Sequence, residues 1–411
     1  MVDSLIVKIA ILSILVGTTA VSFWLLPKKR KEIAVVLFSG FLALSMAEVL
    51  LRLFYPQINQ HDQLFEYEPL LGWRFTPNKT GSIVYPGEAR HYIRVNSQGF
   101  RDDEPPREKQ QGKRILVVGD SFVSNVAVKD QEVFTEVMQR QLSDTSVLNF
   151  GVNGYSTVQE YLLLQQKTDD VNPDAIILVV YIRNDLTENV GEEWVPYPRP
   201  TAVWNEEGST IELVPPPPLR VAHSYSPLYF LKQLHLNELI NNSLSMIPHQ
   251  ATGSYAPSVR TPPELFLCRK DLSPDTRMLY RIIEEVLLKI QRLVAAKHKP
   301  LILVLAPSRV QVEGELMSSV LQRHGAKEDE YSFSLPDDML MSFAEEHGFE
   351  AIDLLPTLRS EAGKGKKLYN RHEQHWNAEG NRVVAGVLLD HLDSPSFRGS
   401  AEDIPQRIPA R

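Results

Sequence analysis

From Arg114 onward, short β-branched runs alternate with amphipathic segments, and that alternation narrows the fold more than any other feature of the chain. Parallel strands must be joined by long crossovers, usually helices, which cover both faces of the sheet they connect. The pattern predicts strands over 114–118, 146–150, 175–181, 301–305 and 351–354. Together they make a five-stranded parallel sheet in a three-layer α/β/α sandwich.

The segments between the strands carry helix signals. Residues 131–142 place Val133, Phe134, Val137, Met138 and Leu142 on one face, and Ser156 with Gln159 reads as a capping box opening the next helix. Ser273-Pro274 starts a long helix with Leu279, Ile282, Ile283, Val286, Leu287, Ile290 and Leu293 as its apolar stripe. Pro336 opens another helix that Gly348 ends, and a last one runs over 378–391. Between the third and fourth strands, residues 195–263 hold twelve of the 28 prolines. This stretch reads either as a stiff polyproline excursion or as a substrate-shaping lid with Trp194, Tyr197 and Trp204.

The first 55 residues differ from the rest. Two apolar runs, 5–26 and 33–55, each reach the length a spanning helix needs, and Pro27-Lys28-Lys29-Arg30-Lys31-Glu32 separates them. The positive loop belongs on the cytoplasmic side, so both ends of this transmembrane hairpin face outward. A signal peptide competes as a reading of the first run, although its basic cluster follows the run instead of preceding it. A buried hairpin in a soluble fold is a further alternative. The expected organisation is therefore a multi-pass anchor in the cell (inner) membrane over 1–55, an accessory segment over 56–110, a catalytic domain over 111–395 on the extracytoplasmic side, and a tail over 396–411. A net charge of −8 offers no field for a phosphate backbone, so no nucleic-acid partner is expected. The single cysteine, Cys268, excludes an internal disulfide framework and a thiolate metal cluster. No cofactor and no metal are expected, since His372, Glu373 and His375 lack a further ligand cluster.

In open α/β sheets, ligands bind beyond the carboxyl ends of the strands. There the first strand ends in Gly119-Asp120-Ser121, the second in Asn149-Phe150-Gly151-Val152-Asn153-Gly154, and the third in Tyr181-Ile182-Arg183-Asn184-Asp185. Just before the last helix comes His372-Glu373-Gln374-His375-Trp376-Asn377. Attack of a hydroxyl on an ester carbonyl needs a nucleophile, a base of near-neutral pKa, a carboxylate that orients the base, and donors for the oxyanion. Ser121, His375 and Glu373 supply the first three. The backbone N–H groups of Ser121 and Gly154 and the Asn184 amide supply the donors.

These blocks resemble the SGNH, or GDSL-type, hydrolase superfamily, in particular its membrane-anchored bacterial members. The match runs through Gly119-Asp120-Ser121, Gly154, Asn184-Asp185 and Glu373-x-His375-Trp376-Asn377-x-x-Gly380, in the expected order. The resemblance implies an SGNH/flavodoxin-like fold and an acyl-serine intermediate. Two positions depart from the family pattern. Ile182 stands where the third block usually has glycine, and Glu373 stands where the acid is usually aspartate, with His372 adjacent. The pieces Tyr67-Glu68-Pro69-Leu70-Leu71-Gly72-Trp73 and Arg94 to Arg101 also resemble the segment that precedes the catalytic domain in anchored members.

The expected activity is that of a serine esterase or O-acyltransferase acting on acyl groups, above all acetyl, of extracytoplasmic carbohydrate or lipid. Expected partners are that substrate, the membrane and envelope polysaccharide machinery. The alternative is a non-catalytic polysaccharide-binding or assembly protein on the same fold.

Overall fold

The computed structural model describes residues 27–54, 64–104 except 84, 86, 87 and 90, 112–218 except 192, 195 and 196, 234–237, 239 and 262–394. The chain divides into two units. One comprises residues 1–57 and 227–247, and the other comprises residues 58–226 and 248–411.

In the first unit, Arg30–Phe54 forms one continuous helix of 25 residues with mean hydropathy 2.2 over its most apolar window and no buried residue. Among the described residues it is the one helix long and apolar enough to cross a membrane. The earlier apolar run, and with it the expected hairpin, lies outside the described residues. Glu48 and Arg52, one helical turn apart, form an ion pair at 2.7 Å. The Glu48 carboxylate also accepts the backbone N–H groups of His235 and Leu236, so part of the proline-rich stretch groups with this helix and not with the sheet.

The second unit contains the parallel sheet. Its strands are β1 (Lys113–Gly119), β2 (Thr145–Gly151), β3 (Ala175–Tyr181), β4 (Leu301–Ala306) and β5 (Glu350–Asp353), each within two residues of its expected bounds. Their spatial order is β2-β1-β3-β4-β5, all parallel. That order reverses direction between β1 and β3, which is where doubly wound sheets open a crevice at their carboxyl ends. All seven residues of β3 are buried, as a strand covered on both faces requires.

The period-2 alternation of the strands splits the core in two. One face carries Leu116, Val118, Phe150, Leu178 and Leu303 and packs on the helices Thr157–Val171 and Pro274–Ala296. The other carries Ile115, Val117, Ile177, Val179 and Val304 and packs on Phe122, Phe134, Trp376 and the helix Ala378–Leu392.

Several sequence expectations need correction. The helix expected over 131–142 is shorter: a 3-10 turn at Asp130–Glu132 is followed by Val133 in an extended conformation, and the α-helix spans Phe134–Gln139. The cause is long-range, because the Phe134 N–H donates to Asn381 Oδ1 at 3.0 Å and so fixes the helix start from 247 residues away. Gln159 makes its half of the expected capping box, accepting the Ser156 N–H at 3.0 Å, while Ser156 Oγ has no partner. The proline-rich stretch is not wholly irregular, since Thr201–Asn205 and Thr210–Val214 form an antiparallel hairpin against the long helix. Ser273 caps that helix as expected, with its Oγ accepting the Thr276 N–H at 3.1 Å.

Candidate active site

β1 ends at Gly119, and the chain turns at once into the four-residue helix Ser121–Ser124. Asp120 caps that helix, its Oδ1 accepting the Phe122 N–H at 2.8 Å. The turn packs tightly on β2, where a Cβ on Gly151 would stand 2.4 Å from the Ser124 nitrogen, so only glycine fits there. Ser121 is therefore presented at the crevice by a rigid turn, partly exposed while Phe122, Val123 and Ser124 behind it are buried.

The histidine arrives from the other end of the chain. Trp376, fully buried, meets the Phe122 ring edge-on at 4.7 Å, and its carbonyl accepts from Asn125 Nδ2 at 2.9 Å. Asn377 caps the last helix through Gly380 N–H at 3.0 Å. Held by these contacts, His375 lies beside the serine, and Ser121 Oγ–H donates to His375 Nε2 at 2.7 Å. His375 Nδ1–H donates to Glu373 Oε2, which also accepts the His375 backbone N–H at 2.9 Å. Asn370 Nδ2 donates to the other oxygen of Glu373.

Burial disfavours charge on both partners of this pair, but their mutual attraction and hydrogen bonds outweigh it. The Glu373 carboxyl is held below its ordinary range and the His375 imidazolium above its own. His372, by contrast, is exposed and takes part through its backbone N–H, which donates to Glu88 Oε1 at 2.5 Å. The structure thus gathers Ser121, His375 and Glu373 into one hydrogen-bonded chain and leaves the His372 ring outside it.

The expected oxyanion donors lie on the two flanking strand ends. Gly154 has φ +78°, in the left-handed region that favours glycine, and its N–H makes no hydrogen bond among the described residues. Asn184 sits in the first turn after β3 and donates one Nδ2 hydrogen to Asp120 Oδ2 at 3.0 Å, which leaves its second hydrogen available. Asp120 thereby links the helix that carries the serine to the amide.

Asp120, Glu160 and Asp185 are all fully buried behind these loops. Burial first, then repulsion among the three carboxyls, pushes Glu160 and Asp185 well above the usual carboxylate range. Burial also raises Asp120, opposed by the Phe122 N–H, by Asn184 and by the positive charge of His375. Asp185 Oδ2 accepts the Tyr181 N–H at 2.6 Å, and Arg183 pairs with Glu264 at 3.2 Å. No group of three or more His, Cys, Asp or Glu able to hold a metal ion occurs among the described residues.

A recess of about 440 Å³ adjoins the histidine, with Tyr85, Arg183, Arg309, Arg371 and Glu264 in its wall. Tyr197 and Trp204, which the alternative reading as a lid would set over the site, are not in that wall, and the side chain of Trp194 lies outside the described residues. The Tyr197 hydroxyl donates to the Phe65 carbonyl at 3.0 Å, and Trp204 faces the long helix and Phe343 in a separate groove.

The segment before the sheet braces the site loops. Trp73 Nε1 donates to the Asn153 carbonyl at 2.9 Å, and the Tyr155 hydroxyl returns a bond to the Trp73 carbonyl at 2.7 Å, so the turn bearing Gly154 is held from both sides. Arg101 is buried and donates to the carbonyls of Ser124, Asn125 and Val128 and to the Asp130 carboxylate. It fastens the chain that leaves the serine helix. The two motifs noted over 67–73 and 94–101 each supply one of these braces, but neither signals its target. Tyr85 lies between them in an aperiodic stretch and has no sequence signal of its own.

Residues 265–404 match the family model of the SGNH hydrolase-like domain of the acetyltransferase AlgX. Over that stretch, about a third of its length, the chain is similar to an SGNH hydrolase-like domain. The matched residues include Glu373 and His375, and Ser121, Gly154 and Asn184 precede them. Among solved structures, a lipolytic G-D-S-L family protein from Veillonella parvula DSM 2008 is similar at 13% identity and a TM-score of 0.33, over 67% of this chain and 96% of that one. A catalytic mutant of Axe2, an acetylxylan esterase from Geobacillus stearothermophilus, is similar at 10% identity and a TM-score of 0.35, over 69% of this chain and 95% of that one. No curated protein matches the sequence.

Proposed function

We propose that this chain is an SGNH-type serine esterase or O-acyltransferase that acts on ester-linked acyl groups, above all acetyl, of carbohydrate outside the cytoplasm. The observation that carries the reading is the continuous hydrogen-bonded chain from Ser121 Oγ through His375 to Glu373. The match to a domain described for an acetyltransferase supports the acetyl group.

In the proposed mechanism, Ser121 Oγ attacks the acyl carbonyl as its proton passes to His375 Nε2, while Glu373 keeps Nδ1 protonated and the ring aligned. The oxygen that becomes negative is received by the N–H groups of Ser121 and Gly154 and the second Asn184 hydrogen, each such donor worth about 3 kcal/mol of barrier. His375 then returns the proton to the departing alcohol, and the acyl group stays on Ser121. In the second half, His375 removes a proton from water or from a sugar hydroxyl, which attacks the acyl-serine, and the imidazolium returns that proton to Ser121 Oγ as its bond to the acyl carbon breaks. Water gives hydrolysis, and a sugar gives transfer.

The same reading anchors the protein in the cell membrane through the helix Arg30–Phe54, with residues 5–26 as a second span and the domain on the extracytoplasmic side. It divides the chain into the anchor over 1–55, the accessory segment over 56–110, the hydrolase domain over 111–395 and a tail over 396–411. Envelope polysaccharide machinery would supply the acyl donor or the acceptor.

The test is turnover of p-nitrophenyl acetate and of mono-O-acetylated glycosides by the full chain, with products separated into free acetate and acetylated acceptor. Acetate release or transfer that disappears in Ser121→Ala supports the reading. Turnover that persists in Ser121→Ala, or none in the folded wild type, overturns it.

A further inference from the structure

The segment that precedes the sheet also enters the site. Besides the bond from His372 N–H to Glu88, Tyr85 sets its ring 5.9 Å from the His375 imidazole, at an interplanar angle of 51°, and forms part of the recess wall. Its hydroxyl differs from those of the fully buried tyrosines of this unit. Tyr155, Tyr280 and Tyr369 each donate theirs to a backbone carbonyl, at 2.7, 2.9 and 3.0 Å. The Tyr85 hydroxyl has no hydrogen-bond partner among the described residues, and it is not shut away from the recess. Burial, with the negative charges of Glu373 and Asp120 nearby, keeps the phenol protonated, so it stands ready as a donor.

Which half of an ester it would meet follows from the proton path. The oxyanion lies toward Gly154 and Asn184, whereas the alcohol oxygen must come within reach of His375 Nε2 to receive its proton. Tyr85 is beside His375, hence on the alcohol side.

We infer that Tyr85 is a specificity-determining residue whose hydroxyl hydrogen-bonds the alcohol half of the substrate, a sugar ring that bears the ester or receives the acyl group. The inference rests on the serine-esterase reading above. It gives the accessory segment a role in recognition besides its role as a brace.

The test compares the full chain with Tyr85→Phe, which removes only the hydroxyl, on p-nitrophenyl acetate and on a mono-O-acetylated methyl glycoside. The ratio of kcat/KM on the glycoside to kcat/KM on the aryl ester should fall about fivefold in the variant, the rate equivalent of one neutral hydrogen bond. The thermal melting point should not move, because the hydroxyl has no protein partner to lose. An unchanged ratio overturns the inference while the esterase reading stands. A wild type active on the aryl ester alone overturns it in the same way. A folded wild type active on neither ester removes the esterase reading and this inference with it.

Discussion

The loops at the carboxyl ends of β1, β2 and β3 and the segment 64–104 both shape the site, yet they are held by different means. The loops are fixed by backbone pairing, since each begins where a strand of a continuous parallel ladder stops. Among its described residues the segment 64–104 has two short hairpins, Phe65–Glu68 with Gly72–Phe75 and Thr80–Gly81 with Ile93–Arg94, and it reaches the site through individual side chains. Backbone pairing fixes where a reactive group stands to within the spacing of a strand. Side chains such as Trp73, Arg101 and Tyr85 then fix which way the loops face and what they meet. Changes in the first region should therefore remove chemistry with little loss of stability, and changes in the second should remove stability or selectivity.

The largest expected effect is at the serine. Ser121→Ala should lower kcat by about 10⁴-fold or more, with the denaturant midpoint nearly unchanged. Glu373→Gln should come next, with a loss on the order of 10⁴-fold, because an amide cannot hold the imidazole in the required tautomer. His372→Ala should cost at least tenfold less than that, since its ring lies outside the hydrogen-bonded chain. The reverse ranking would assign the third member of the triad to the wrong residue.

Trp73→Ala should show the opposite signature. Loss of a fully buried indole and of its bond to Asn153 should destabilise the domain by about 3–5 kcal/mol, read as a lower denaturant midpoint. Asn184→Ala should cost about 10²- to 10³-fold in kcat through the missing oxyanion donor, with a smaller change in stability. A Trp73 variant with full stability, or an Asn184 variant that mainly unfolds, would erase the contrast between the two regions.

The smallest effect is on pH dependence. His375 must be neutral to accept the serine proton, and its folded pKa lies above the ordinary value of about 6.5 because Glu373 outweighs the opposing effect of burial. The rate should therefore rise with pH through a midpoint above about 6.5 and fall away below it. In Glu373→Gln the midpoint of the residual rate should move to lower pH.

The sheet was legible because its strands are β-branched runs with turn residues at their ends, and the candidate site residues could be named because they sit at those ends. Ser121, Gly154, Asn184 and His375 each follow or precede an element whose pattern is local. What could not be read depends on contacts far apart in the chain. The late start of the helix at Phe134 is set by Asn381, and the turn at Asn153 is fixed by a tryptophan 80 residues earlier. No periodicity records such pairs. Tyr85 carries no local signal for a related reason: a lone aromatic in an aperiodic stretch looks the same whether it faces solvent, core or an active site.

The central claim is that the chain from Glu373 through His375 makes Ser121 a nucleophile. Its most direct measurement is labelling of the folded full chain with a fluorophosphonate, followed by peptide mapping. The label should appear on Ser121, and it should be lost in Ser121→Ala and nearly lost in His375→Ala. A folded wild type that takes no label, or takes it at another residue, would contradict the claim.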